Sequence, residues 1–177
     1  MKFVRGALVI SMLAMRAIVS AQGHAHQHGV LTLDIGIETS TLTMQMASPL
    51  DNLLGFEHAP RTDGERKRVD AALARLGAAQ DLFAIDAAAE CRLANVEITS
   101  EVLGIGTPGT ASSHDQHADL GARFDFQCRD GGRTAYVDVH LFDAFAGVKR
   151  IEVQVAGPRG QLKRNLRRSE RRVTLAR

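Results

Sequence analysis

Three of the seven histidines occupy alternate positions in the short segment His24-Ala25-His26-Gln27-His28. In an extended chain their side chains lie on one face, and in a helix His24 and His28 lie one turn apart. In either conformation two or three imidazoles can bind one cation, so the spacing favours a metal site. The alternative is a polar, disordered leader in which the histidines share no role.

A second group consists of His114 and His117, with Asp115 and Asp119 alongside, in a segment that follows a Gly/Thr/Pro/Ser-rich stretch. Each of the two histidine groups directly precedes a predicted strand. If those strands neighbour each other in parallel, the groups converge. Zinc accepts imidazole and carboxylate ligands in a tetrahedron, and histidine-rich loops also suit copper or nickel.

The sequence contains no motif that would make a metal site catalytic. It lacks G-x-S-x-G, a P-loop, G-x-G-x-x-G and H-E-x-x-H. A catalytic zinc also needs an open coordination position and a general base on a rigid scaffold. We therefore predict a protein that is not an enzyme.

The first 21 residues have the pattern of a secretory signal peptide. Lys2 and Arg5 form a basic region, residues 6–15 an apolar region, and Val19-Ser20-Ala21 a small-residue cleavage site. The apolar run is about half the roughly 20 residues that a membrane span requires. We expect cleavage after Ala21, no stable membrane span, and a mature periplasmic domain over residues 22–177.

Charge gives no case for nucleic acid as a partner. Removing Lys2, Arg5 and Arg16 from the 22 basic residues leaves 19, against 20 acidic residues. A nearly neutral mature chain lacks the electrostatic footprint of a nucleic-acid-binding protein. The remaining asymmetry is a basic C-terminal tail, 160–177, for which a terminal strand, a frayed tail and an amphipathic membrane-surface helix are all open.

The two cysteines, Cys91 and Cys128, predict a disulfide bond. An even pair in an exported chain lies in an oxidising compartment. The rival interpretation, two thiolate metal ligands, would require close spacing such as C-x-x-C, and the sequence has none.

Hydrophobic periodicity predicts an α+β fold. Apolar and polar residues alternate in several segments typical of strands. One segment, 65–83, has the 3.6-residue period of a helix, and Thr62-Asp63-Gly64-Glu65 offers an N-cap for it. We predict an antiparallel β-sheet of about six strands with one long helix packed on it. The predicted strands cover residues 30–38, 41–47, 92–102, 120–128, 135–141 and 151–155, and Asp130-Gly131-Gly132 is predicted to be a hairpin turn.

The segment SPLDNLLGFEHAP, at positions 48–60, is too apolar for a flexible linker. We expect it to cross the sheet as irregular structure. Its histidine, His58, is adjacent to Glu57 and cannot form the two-histidine helical motif of a zinc hydrolase. A structural histidine bonded to the backbone is the favoured interpretation over a metal ligand.

Taken together, these segments resemble the ZrgA-like zinc uptake proteins of bacterial periplasms. The resemblance covers nearly the whole mature chain, and residues 55–60 are its most specific part. It is carried by the export signal, the H-x-H-x-H-G segment and the residues after it, positions 48–60, Leu82-Phe83, Cys91, the approach to Cys128 and positions 141–145. Family members often have a longer histidine-rich insertion between the two cysteines, which is reduced here to His114 and His117.

The resemblance implies a periplasmic zinc-binding accessory protein that aids import, with an ABC-type zinc importer or its binding protein as partner. The ligands would be His24, His26, His28, His114 and His117. Two alternatives remain open. One is a structural or interaction module of the cell envelope that binds no metal. The other is copper or nickel binding by a mature N-terminus, Gln22-Gly23-His24, whose amine, amides and imidazole could form a square-planar site.

Overall fold

The computed structural model describes residues 27–106 and 118–175. Strands contain more of these residues than helices do, and one helix has more than seven residues. The strands are β1 (Val30–Ile37), β2 (Thr41–Pro49), β3 (Phe83–Ile85), β4 (Cys91–Thr99), β5 (Asp119–Cys128), β6 (Tyr136–Val139), β7 (Arg150–Gly157), β8 (Gly160–Arg167) and β9 (Arg172–Thr174). The helices are α1 (Leu50–Leu54), α2 (Asp63–Gly77), α3 (Ala79–Leu82) and α4 (Leu141–Ala144).

Six strands form one sheet, in the order β4-β5-β2-β1-β7-β8. The α+β class and the six-stranded sheet are confirmed. All neighbouring strands are antiparallel except β1 and β7, which pair in parallel from Val30↔Arg150 to Gly36↔Ala156. The sheet is therefore mixed. The long connection between residues 37 and 150 makes this parallel pairing possible, because a parallel partner cannot be reached through a tight turn.

The sheet has one buried face and one polar face, as the alternation predicted. In β1 the four residues Leu31, Leu33, Ile35 and Ile37 are at most 7% exposed, while the residues between them are exposed. β2, β5 and β7 continue this buried face with residues of the same alternation. Because side chains alternate across a strand, burying one face fixes the register of these four strands.

A second, three-stranded sheet in the order β3-β6-β9 belongs to the same hydrophobic core. The ring centroids of Phe83 and Phe124, one from each sheet, are 5.1 Å apart in an edge-to-face arrangement. The predicted hairpin at Asp130-Gly131-Gly132 is wrong, because β6 pairs with β3 and β9 and not with β5. Residues 131–133 form a 3-10 turn that carries the chain from one sheet to the other.

The long helix is confirmed, but it is shorter than residues 65–83. Thr62 is its N-cap, and Thr62 and Glu65 form a capping box in which each side chain bonds the other's backbone N–H. The helix ends at Gly77. Residues 79–82 form the separate turn α3, and Phe83 already belongs to β3. The apolar residues keep the helical period across the break between α2 and α3. The period alone therefore could not reveal where the long helix ends.

Cys91 and Cys128 form a disulfide bond, as predicted. The two residues are directly opposite each other in the β4–β5 pairing, so the bond fastens edge strand β4 to its neighbour. The basic C-terminal region is described as far as Leu175. Residues 160–167 are the edge strand β8 and residues 172–174 are β9, so this region is neither an amphipathic helix nor a frayed tail.

Candidate metal centre

β1 and β5 follow the two histidine groups in the sequence and start at the same end of the sheet. This end, at Val30, Pro49 and Asp119, is the candidate edge. β1 and β5 are both antiparallel to β2, so they run parallel to each other with β2 between them. Thr32 pairs with Ala47 and Asp119 pairs with Pro49, which places both strand starts where β2 ends. The two starts are about 10 Å apart, two strand spacings. β1 and β5 are thus parallel, which the predicted convergence of the two histidine groups requires. They are not direct neighbours in the sheet, because β2 lies between them.

Most of the predicted ligands fall outside the described residues. His24, His26, His114, His117 and Asp115 belong to residues 1–26 or 107–117, whereas His28 and Asp119 are described. The described chain resumes at Ala118, directly after His117, and begins at Gln27, directly after His26. The structural information on the site therefore comes from the described residues that border the two histidine groups.

Helix α1 contacts both flanks. It follows β2 directly, and the backbone N–H of its first residue, Leu50, donates to the carbonyl of Ala118 at 2.8 Å. On the other side, Asn52 accepts a hydrogen bond from the backbone N–H of Gly29 at 2.5 Å and donates to the carbonyl of Val30 at 2.8 Å. One short helix thus contacts the described residues that border both histidine groups in the chain.

His28 lies in a tight turn that holds its backbone and leaves its ring in solvent. The N–H of Val30 donates to the carbonyl of Gln27 at 3.0 Å, and Gly29 has φ +82°, a conformation that favours glycine. The carbonyl of Gly29 accepts hydrogen bonds from the backbone N–H groups of Lys149 and Arg150. The His28 side chain is 70% exposed, so its imidazole is available to a ligand.

Two carboxylates face this imidazole. Nδ1 of His28 is 3.0 Å from Oδ2 of Asp51 and 3.9 Å from Oε1 of Glu57. Both acidic residues come from the segment at positions 48–60, which sequence reasoning treated as irregular structure and which contains α1. The signal that could have found them is the family resemblance, since this segment is its most specific part.

His58 and His140 lie in other surroundings. Nδ1 of His58 is 2.9 Å from the carbonyl of Ala59, and its ring stacks on Phe56 with centroids 5.1 Å apart. This is the backbone-bonded arrangement that the sequence favoured. His140 follows β6, and its Nδ1 is 3.9 Å from a carboxylate oxygen of Asp143.

Residues 27–106 and 118–175 alone do not form a metal site. Among them no group of three or more His, Cys, Asp or Glu side chains could hold a metal ion. Because the two cysteines are joined to each other, they are not available as thiolate ligands.

Within the described part of the chain, no helix is long and apolar enough to cross a membrane.

The fold and the edge together define a small α+β domain that presents an exposed histidine, two facing carboxylates and the flanks of two histidine-bearing segments. A family model described as "ZrgA family zinc uptake protein" matches residues 25–175. The chain therefore belongs to the ZrgA family of zinc uptake proteins, and the resemblance seen in the sequence is confirmed. A comparison with curated protein sequences finds no match.

Membership of this family assigns the chain a role in zinc uptake and makes zinc the relevant ligand. A family of uptake proteins suggests a non-enzymatic role. The family and the disulfide bond are consistent with an exported protein.

Proposed function

We propose that the protein captures zinc in the periplasm through its histidine groups and assists zinc import as an accessory protein. The observation that supports this most directly is the arrangement at α1, where Leu50 and Asn52 form hydrogen bonds with the residues that border both groups at the candidate edge. The proposed ligands are His24, His26, His28, His114 and His117, in a mature chain that begins after Ala21.

The donor set suits zinc. Imidazole nitrogen and carboxylate oxygen are both ordinary zinc ligands, and four of them complete a tetrahedron. Asp115 and Asp119 are proposed as carboxylate ligands or as partners that orient the imidazoles. Zinc requires neutral imidazole as a ligand. The affinity of the protein for zinc should therefore fall as the pH drops through about 6.5, the ordinary pKa of a histidine side chain. The protein would load near neutrality and release zinc in acid.

The test compares zinc affinity in three variants by competition against a chromophoric chelator, using protein purified without a histidine tag. The variants are His24/His26/His28→Ala, His114/His117→Ala and the combination of all five substitutions. If the groups form one site, either variant loses most of the affinity and the combined variant loses little more. If they form two sites, each variant loses its own share of the stoichiometry.

His140→Ala is the matched control, because it removes an imidazole outside the proposed site. It should bind zinc as the wild type does. Unchanged binding in the combined variant would refute the proposal and direct attention to His58 and His140. Metal analysis of the purified wild type adds a second check, since a module that binds no metal would carry no stoichiometric zinc.

Copper or nickel binding is the second candidate, supported by the sequence Gln22-Gly23-His24. A free amine, two backbone amides and the imidazole of a third residue form the square-planar nitrogen site that Cu(II) and Ni(II) prefer. The site exists only if cleavage occurs after Ala21 and Gln22 does not cyclise. Mass spectrometry of the mature N-terminus decides both conditions.

The proposed partner is an ABC-type zinc importer or its binding protein. Transfer can be measured by mixing the zinc-loaded protein with the metal-free binding protein, separating them and analysing each for zinc. Transfer faster than spontaneous release would support direct handover, and equal rates would limit the role to capture.

A further inference from the structure

The contact between Asp51 and His28 joins helix α1 to the turn that precedes β1 at the candidate edge. We propose that Asp51 is a positioning residue of the zinc site, whose carboxylate binds Nδ1 of His28 and so directs Nε2 towards the metal. This assignment rests on the proposed function, because it gives Asp51 a role only if His28 is a zinc ligand.

The chemistry of the contact sets the direction of the ring. An ionised carboxylate can only accept a hydrogen bond, so at 3.0 Å it selects the neutral tautomer in which Nδ1 carries the proton. The lone pair then lies on Nε2, at the far side of the ring. Histidine ligands in metal sites commonly donate their other ring N–H to a carboxylate in this way, which orients the ring and raises its basicity.

Both partners are held before any metal binds. Asp51 lies between Leu50, which is fully buried, and Asn52, which is 3% exposed and hydrogen-bonded to the backbone of Gly29 and Val30. Because Asn52 binds the residues directly after His28, the same short helix sets the spacing between the carboxylate and the imidazole. A metal ligand positioned by a rigid element loses little freedom on binding.

The local charge also fits a dication. Among the described residues, the ion pairs of Asp51 and Glu57 are to His28 alone, and neither carboxylate is paired with a lysine or arginine. With His28 neutral, the group carries two negative charges. An exposed ion pair adds little to stability, so stability is a poor explanation for this contact.

The first measurement is the zinc dissociation constant of Asp51→Asn, determined by chelator competition with zinc ion as the only ligand. Asparagine has nearly the same shape but also carries N–H donors, so it no longer fixes the tautomer. We expect the dissociation constant to rise about 10-fold or more. The control is Asp70→Asn, which removes the same charge from an exposed position on α2 and should leave the constant unchanged.

A double-mutant cycle separates positioning from other roles. If Asp51 acts through His28, Asp51→Asn has no further effect on zinc affinity in a His28→Ala background. If the loss persists in that background, Asp51 is itself a ligand or acts by charge alone, and the assignment is wrong. Asp51→Glu, which restores the carboxylate, should recover part of the affinity.

A spectroscopic measurement tests the same point without zinc. Nitrogen-15 chemical shifts of His28 in the metal-free protein should show the Nδ1–H tautomer in the wild type and a mixture in Asp51→Asn. Melting temperatures in chelator should match, which excludes a folding defect. Wild-type protein that fails to bind zinc would refute the proposed function, whereas zinc binding unaffected by Asp51→Asn would refute this inference alone.

Discussion

At the scale of single residues, the geometry of the candidate edge depends most on Asn52. Its side chain bonds the N–H of Gly29, the carbonyl of Val30 and the hydroxyl of Ser48, and it is 3% exposed. No sequence pattern predicts such a residue, because its partners lie 22 residues or more along the chain or come from the preceding strand. The backbone-bonded environment of His58 could be predicted from the sequence. The adjacent pair Glu57-His58 does not have the spacing of two metal ligands on a helix.

Replacing Asn52 with alanine should destabilise the protein and disturb the histidine turn together. The substitution leaves the buried N–H of Gly29 and the carbonyl of Val30 without their side-chain partner, which costs about 2–3 kcal/mol. Urea denaturation gives the free energy of unfolding, and chelator competition gives zinc affinity.

The matched control is Asn95→Ala, whose side-chain bond to Asp125 lies at the surface. It should change stability by less than about 0.5 kcal/mol. If the two alanine variants are equally stable, the hydrogen bonds of Asn52 do not hold the turn as described.

At the scale of elements, the alternation of buried and exposed residues predicted β1, β2, β5 and β7 of the large sheet. It did not predict β8, in which only Leu166 is buried, and the sequence leaves the region of β8 open as a tail or a terminal strand. The buried residues of β1, such as Leu33 and Ile35, follow the two-residue period without exception. The second sheet could not be found this way, since β3 and β9 have only three residues each. Alternation in β6 correctly indicated a strand, but alternation reports which face is buried and not which strand lies alongside.

Removing the disulfide bond should destabilise the protein without abolishing zinc binding. The chain-entropy model gives a loss of about 4 kcal/mol for a loop of 37 residues. Cys91 pairs with Cys128 at the end of β4 opposite to the Thr99–Gly121 pair, which lies nearer the candidate edge. We expect Cys91/Cys128→Ala to unfold at lower urea concentration and, while folded, to retain wild-type zinc affinity.

Reducing agent supplies the control for this prediction. It should destabilise the wild type by a similar amount and leave the alanine variant unaffected. Loss of zinc affinity in the folded variant would show that the two ends of β4 are coupled.

At the scale of the whole molecule, several carboxylates make stability depend on pH. Two hydrogen bonds from Arg172, at 2.7 and 2.6 Å, hold the pKa of Asp138 below its usual range. Hydrogen bonds from N–H groups are likewise the main cause of a lowered pKa in Glu65, Asp86 and Asp125. A carboxyl group with a lowered folded-state pKa stabilises the protein above its unfolded value, and this stabilisation is lost as the pH falls through the folded value.

We expect the carboxylates to leave the unfolding free energy of the zinc-free protein unchanged from neutral pH to about pH 5. At pH values under about 4, the ordinary pKa range of Asp and Glu, the unfolding free energy should decrease. Asp138→Asn should be less stable than the wild type at pH 7 by about 1 kcal/mol, and the difference should shrink by pH 3. Urea denaturation at pH 7, 5, 4 and 3 measures both. The exposed substitution Asp70→Asn should reproduce the wild-type curve, and a constant deficit in Asp138→Asn would contradict the assignment.

The parallel pairing of β1 with β7 has a consequence for how the chain reaches its fold. β1 emerges first in synthesis, yet one of its two neighbours begins at Arg150, about 120 residues later. Contacts between residues so far apart in sequence must close a long loop before they contribute, which slows folding. Until residues 150–157 arrive, β1 has an open hydrogen-bonding edge beside alternate apolar side chains, a surface that favours association between incomplete chains. The sheet therefore cannot be assembled strand by strand from the N-terminus, and its centre is completed only after residues 150–157 have been synthesised.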